Sequence, residues 1–202
     1  MKAMSDSAQP CSTFRISETI LKTGRLDAMK VWYETVLQVA PFFEHAPAQG
    51  STPRDYGGQT RASDLRMCFF RLSLDYPNTQ TIGLFEEPGT ALDPVRTAPG
   101  LHHMQLMTAS LDELGAQYRR LRGLGLVPHR SADHGPMTSV YYRDPDGNNV
   151  ELTAQNFPTL EAMVAFMARR RSRPIPRARR SIRKRASPRA ARSRTGLRRW
   201  RG

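Results

Sequence analysis

The chain has 202 residues, with 31 Lys or Arg against 18 Asp or Glu and a formal net charge of +13. No stretch approaches the roughly 18 consecutive apolar residues a membrane span needs, and two cysteines, Cys11 and Cys68, exclude a disulfide framework. The N-terminal stretch is polar and lacks the apolar core of a secretory signal, so a cytoplasmic location is expected.

The charge is unevenly placed. Residues 169–202 hold 16 of the 31 basic residues and none of the acidic ones, which leaves 15 against 18 in residues 1–168. The part able to build a core is therefore mildly acidic, and the basicity belongs to the C-terminal stretch.

Residues 1–13 are expected to form a flexible arm. Residues 15–22 alternate polar and apolar, the period of a half-buried strand. Residues 25–37 place Leu26, Met29, Tyr33 and Val36 at helical spacing. Residues 46–63 are rich in Gly, Pro, Ser and Thr and read as loop. Residues 65–74 and 79–85 read as strands around a Tyr76-Pro77-Asn78 turn. Residues 101–107 are again strand-like. Ser110 and Glu113 make a capping box for a helix that carries Leu111, Leu114, Tyr118 and Leu121 on one face. Gly125 ends that helix, and residues 126–129 suggest a short strand. Residues 139–143 and 148–153 read as a hairpin around Asp144-Pro145-Asp146-Gly147, where proline pre-sets one backbone angle and glycine relieves another. Residues 157–168 suggest a last helix.

The order strand, helix, three strands occurs twice, and the sequence repeats with it. At an offset of 85 residues Leu21 falls on Leu106, Thr23 on Thr108, Leu26 on Leu111, Asp27 on Asp112 and Tyr33 on Tyr118. At the same offset Glu18 falls on His103. The expected class is α+β, with two βαβββ modules (14–90 and 100–156) in one domain at 14–156, a helix at 157–168 and a basic tail at 169–202.

The stretches GLHHMQL from Gly100, HGPMTSVYYRDPDGNNVEL from His134 and NFPTLEAMVAFM from Asn156 resemble the vicinal oxygen chelate superfamily of glyoxalases, bleomycin-resistance proteins and extradiol dioxygenases. Small biphenyl-2,3-diol dioxygenase-like members are the most similar, and the likeness covers residues 14–168. The resemblance implies two modules that curl around a metal held by Glu18, His103 and Glu151. Two carboxylates and an imidazole suit Fe(II) first, and Mn(II), Ni(II) or Zn(II) as well. Gly83 is the first-module counterpart of Glu151 and cannot bind an ion, which favours three protein ligands over four. His102 is the rival of His103, and on a strand the two would point to opposite faces.

By the same resemblance, His134 is expected to move protons and Tyr141 to orient substrate. Gln80 and Tyr142 are expected to contact it, although one tyrosine of the pair should be core. Relatives place His where this chain has Glu18 and Gln80, and Gln80 can donate a hydrogen bond but cannot shuttle a proton. The implied function is metal-dependent extradiol cleavage of a catechol-type aromatic diol with dioxygen. The alternatives are a non-catalytic small-molecule-binding module and a glyoxalase- or epimerase-like metal enzyme. Family members pair their modules within one chain or across a homodimer. His45 and His129 have no supporting constellation, and Met104, Met107 and Met137 are expected to line core and pocket. The Arg-rich tail is expected to be disordered. Its composition is what a shifted reading frame gives in GC-rich DNA, and nucleic-acid binding by phosphate neutralisation is the lesser reading.

Overall fold

Strand β1 (Glu18–Thr23) pairs in parallel with β4 (Thr81–Glu86), so the chain must cross over between them. The crossover contains helix α1 (Leu26–Leu37), then β2 (Phe43–His45) and β3 (Arg66–Arg71), which complete a sheet of order β1-β4-β3-β2. The second half repeats the plan. Strand β5 (Met104–Met107) pairs in parallel with β8 (Asn149–Gln155), helix α2 (Leu111–Gly123) makes the crossover, and β6 (Arg130–Asp133) and β7 (Met137–Arg143) give the order β5-β8-β7-β6. Helix α3 (Leu160–Arg171) follows. Among the described residues the architecture is α+β: two four-stranded mixed sheets and three α-helices. These are the findings of a computed structural model, which describes residues 12, 14–55, 57–58, 60–77, 79–87, 89–91 and 99–171. The expected N-terminal arm, apart from Ser12, and the basic tail beyond residue 171 lie outside the described residues, as does Asn78 of the expected turn.

Several boundaries differ from expectation. The short β2 lies before the expected loop and pairs Phe43 with Phe69. The short strand expected at 126–129 forms at 130–133, where Arg130 pairs with Tyr141, because Leu126 is drawn against the core behind α2. Helix α3 begins three residues later than expected, with Ala162 N–H bonded to the Thr159 hydroxyl at 3.2 Å. In α2 the capping box forms as expected: the Ser110 hydroxyl accepts from Glu113 N–H, and the Glu113 carboxylate accepts from Ala109 N–H at 3.0 Å.

Alternation puts Leu21, Phe70, Ile82 and Leu84 on the α1 side of the first sheet, where Met29 and Tyr33 are fully buried. Val140, Tyr142, Val150, Leu152 and Ala154 meet Leu114 and Leu121 on the α2 side of the second. All belong to one continuous apolar cluster. Each such side chain contributes roughly 1.5–3 kcal/mol through burial.

Polar ties cross between the modules at the helix ends. The last carbonyls of a helix have no partner within it. Here Arg120 Nη2 donates to Thr35 O at 2.6 Å and Gln117 Nε2 to Val36 O at 2.5 Å, so α2 satisfies the end of α1. Tyr33 donates its buried hydroxyl to Asp144 in the second-module hairpin at 3.2 Å, and Arg25 pairs with Asp146 beside it. Burial pushes the Asp144 carboxyl above its ordinary value, against the hydrogen bonds from Asn148 and Tyr33.

Candidate active site

The faces of both sheets turned away from their helices differ in character. On the first sheet Ile20 is 36% exposed and Phe43 48% exposed, with Phe69 and Phe85 beside them in edge contact. On the second sheet the same face holds Glu151, Tyr141, Ser139 and Thr153, all buried. Strand register explains the contrast. Ile20 pairs with Gly83, and Gln105, its repeat counterpart, pairs with Glu151. Gly83 and Glu151 are therefore equivalent positions. A Cβ at Gly83 would lie 2.5 Å from Ile20 Cδ1 and 2.9 Å from the Phe69 ring, so apolar groups occupy the space a side chain would need.

Glu151 is only 2% exposed, and a carboxylate so placed needs compensation. It receives several donors. Tyr141 OH donates to Oε1 at 2.9 Å, and His103 Nε2 lies 3.1 Å from Oε2. Burial pushes the Glu151 carboxyl up. Hydrogen bonds from Ser139, Tyr141 and Gln105, with the adjacent His103, outweigh burial and hold it below its ordinary value. Tyr141 moves the other way, since burial and then its bond to Glu151 push the phenol up. His134 Nε2 sits 2.8 Å from the Tyr141 oxygen and 3.9 Å from Glu151 Oε1. The Arg130 guanidinium lies over the Tyr141 ring at 4.9 Å.

His103, His134, Tyr141 and Glu151 thus converge. Tyr142 faces the other way into the core against α2, so it is the core member of the tyrosine pair. Glu18 is exposed on the first sheet, opposite Thr81. Among the described residues no three His, Cys, Asp or Glu side chains gather as a group that could hold a metal ion within one chain. Gln80 is exposed and lines a cleft of about 730 Å³ together with Gln105, Gln38 and Gln117. His45 bonds the Ser63 carbonyl at 2.9 Å, and burial holds His129 below its ordinary value.

His102 and His103 do not point to opposite faces. Their Nδ1 atoms are 2.6 Å apart, because β5 begins only at Met104 and the alternation of a strand does not yet apply. Ser139 and Gln105 escaped the sequence reading, although Ser139 lies two residues from Tyr141 on β7 and so shares its face, and Gln105 pairs with Glu151 across β5 and β8.

The donor chemistry fits a divalent cation at this pair. Two ligands each about 2.1 Å from such an ion and near a right angle stand about 3 Å apart, close to the separation of His103 Nε2 and Glu151 Oε2, 3.1 Å.

The described residues contain no helix long and apolar enough to cross a membrane. Over 157 residues the chain is 31% identical to biphenyl-2,3-diol 1,2-dioxygenase 2 of Rhodococcus globerulus, spanning 77% of this chain and 70% of that one. Biphenyl-2,3-diol 1,2-dioxygenase 3 of the same organism is 35% identical over the same coverage. A solved glyoxalase/bleomycin resistance protein/dioxygenase domain from Frankia sp. EAN1pec superposes with a TM-score of 0.55 at 20% identity, over 72% of this chain and all of that one, a likeness of fold. The sequence profile of the Glyoxalase/Bleomycin resistance protein/Dioxygenase superfamily matches residues 15–152, both modules together. With the duplicated βαβββ plan, this places the chain in that superfamily.

Proposed function

We propose that the protein is a metal-dependent, extradiol dioxygenase-like enzyme that cleaves a catechol-type aromatic diol with dioxygen. The observation that carries this reading is the buried Glu151 carboxylate, 3.1 Å from His103 and bonded to Tyr141, which in turn contacts His134. His103 and Glu151 would hold the ion, Fe(II) in the first instance, with Mn(II), Ni(II) or Zn(II) as alternatives. The chemistry such an ion supplies is polarisation of two adjacent oxygens and, for iron or manganese, electron exchange with dioxygen.

The chain's own residues do the rest. Tyr141 is fixed between Glu151 and His134 and orients a diol oxygen. His134 moves a proton at Nε2, for which imidazole has a suitable range. Met137 and Met107 give the aromatic ring apolar, adaptable walls. Glu18 is the third donor in this reading. Because it lies on the exposed face of the other sheet, beside Ile20, a second copy would deliver it, and the functional form would be a homodimer.

A second reading, a non-catalytic small-molecule-binding module, is favoured by one observation. Glu151 is already satisfied by protein donors while Glu18 stands apart.

One experiment separates the two. Purified protein is reconstituted anaerobically with Fe(II), its metal content measured, and turnover of biphenyl-2,3-diol and simpler catechols followed by oxygen uptake. Stoichiometric iron with oxygen consumption supports the enzyme. Diol binding without iron or oxygen uptake leaves the binding module.

A further inference from the structure

Strand register sets one line of side chains across the open face of the second sheet. Arg130 pairs with Tyr141, Tyr141 with Glu151 and Glu151 with Gln105, so all four share that face on β6, β7, β8 and β5. The line runs from a cation on the edge strand, through a phenol, to a buried carboxylate. The Arg130 guanidinium is exposed and lies 4.9 Å from the centre of the Tyr141 ring. Arg25, Arg54 and Arg66 each pair with a carboxylate; among the described residues no carboxylate pairs with Arg130 and no acceptor takes its N–H groups. The ring contact engages the positive charge without using the N–H fork, which stays available to an anion. Arg143, two residues from Tyr141 on the same face, is also exposed, with Nη1 donating to Gly147 O at 2.9 Å. Burial, then Arg143 and Arg130, hold His129 below its ordinary value, so the two positive charges meet at this edge.

We propose that Arg130 selects an aromatic diol that carries a carboxylate on the side of the ring away from its hydroxyls. Arg130 and Glu151 are anchored two strands apart, about 10 Å, a span that an aromatic ring with polar groups at opposite ends can bridge. With the hydroxyls at the His103–Glu151 end, a carboxylate across the ring reaches Arg130 and accepts two parallel N–H bonds. A carboxylate next to the hydroxyls would stay beside Glu151 and meet a like charge. The Tyr141 ring holds the guanidinium in place beforehand, which lowers the cost of fixing a long side chain on binding. The inference rests on the reading of this face as the seat of an aromatic diol, and it applies to an enzyme and to a binding module alike.

The test measures binding to the full chain by calorimetry, without oxygen and with Zn(II) present as a redox-inert ion. The ligands are 3,4-dihydroxybenzoate and 3,4-dihydroxybenzamide, which match in shape and differ in charge. The acid should bind about 10-fold or more tightly than the amide, the range for hydrogen bonding to a charged group, and the preference should shrink as salt rises. Arg130→Met, which keeps an apolar stem over Tyr141, should remove the preference. Arg130→Lys, which keeps the charge without the fork, should restore part of it. Equal affinity for acid and amide, or a preference that survives in Arg130→Met, overturns the proposal and leaves the diol reading standing. An equal loss of both ligands in Arg130→Met also overturns it, since Arg130 would then act only by holding Tyr141. An acid preference that depends on Arg130, in a chain that consumes no oxygen with Fe(II) and the acid, sustains the proposal and removes the enzyme reading. Binding of neither ligand removes both.

Discussion

The Tyr141 hydroxyl stands between a carboxylate and an imidazole, 2.9 Å from Glu151 Oε1 and 2.8 Å from His134 Nε2. Tyr141→Phe removes the donor of one bond and the acceptor of the other while keeping the ring under Arg130. The expected cost is about 1–3 kcal/mol in urea unfolding, because a buried carboxylate loses a partner. Turnover of any diol substrate should fall by about 10²-fold or more, the lower range for a displaced proton-transfer group. Wild-type stability in this variant would mean that Glu151 does not depend on the phenol.

The Glu151 carboxyl, depressed from its ordinary 4.5, ties stability to pH. A carboxyl whose folded value is lowered contributes stability that is present above its unfolded value and lost as pH falls through the folded one. Glu151→Gln keeps the shape and removes the titration. In the metal-free chain the wild type should exceed the variant by about 1–3 kcal/mol at neutral pH, and the gap should close as pH drops below the ordinary carboxylate range. Unfolding curves at several pH values check this; a gap that stays constant into acid contradicts it.

Arg120 caps α1 from the other module, with Nη2 2.6 Å from Thr35 O. A cation at a helix C-terminus gains from both the hydrogen bond and the helix dipole. Arg120→Met keeps much of the apolar stem and should cost about 1–2 kcal/mol. Since the contact joins the halves, hydrogen exchange should rise in the last turn of α1, residues 34–37, although the substitution lies in α2. Exchange changes confined to α2 would refute the capping role.

Gly24, between β1 and α1, is held by a close approach. A Cβ there would run into the Thr90 carbonyl oxygen, a backbone atom that cannot swing aside. Gly24→Ala should therefore cost about 1–3 kcal/mol, the range for overpacking. A thermal melt compares it with Gly100→Ala, where a Cβ meets nothing within 4 Å.

Much of this was legible in the sequence because the duplication is visible at a constant offset. The offset aligns Ile20 with Gln105 without coordinates, and the strand pairs Ile20–Gly83 and Gln105–Glu151 then make Gly83 and Glu151 equivalent although they lie 68 residues apart. Strand β2 was not legible, since three residues, Phe43 to His45, are too few to show a period. The place of β6 was set by pairing with β7, about ten residues on, and the start of α3 by the Thr159 hydroxyl, which bonds the Ala162 amide. At the site, Tyr141 and Glu151 lie on paired strands whose alternation is readable, while His103 and His134 sit just outside strand ends. The position of Glu18 depends on how two sheets are oriented, which no local pattern encodes. His102 was misjudged because alternation was assumed over His102 and His103, both of which precede the first strand residue, Met104.

The filled space above Gly83 has a consequence for how such a protein can change. The two modules repeat one plan, yet this face carries a polar hydrogen-bonded network in one and apolar packing in the other. Exchanges among Ile20, Phe43 and Phe69 would reshape the apolar face without removing a hydrogen bond to Glu151, so the two faces can be altered separately.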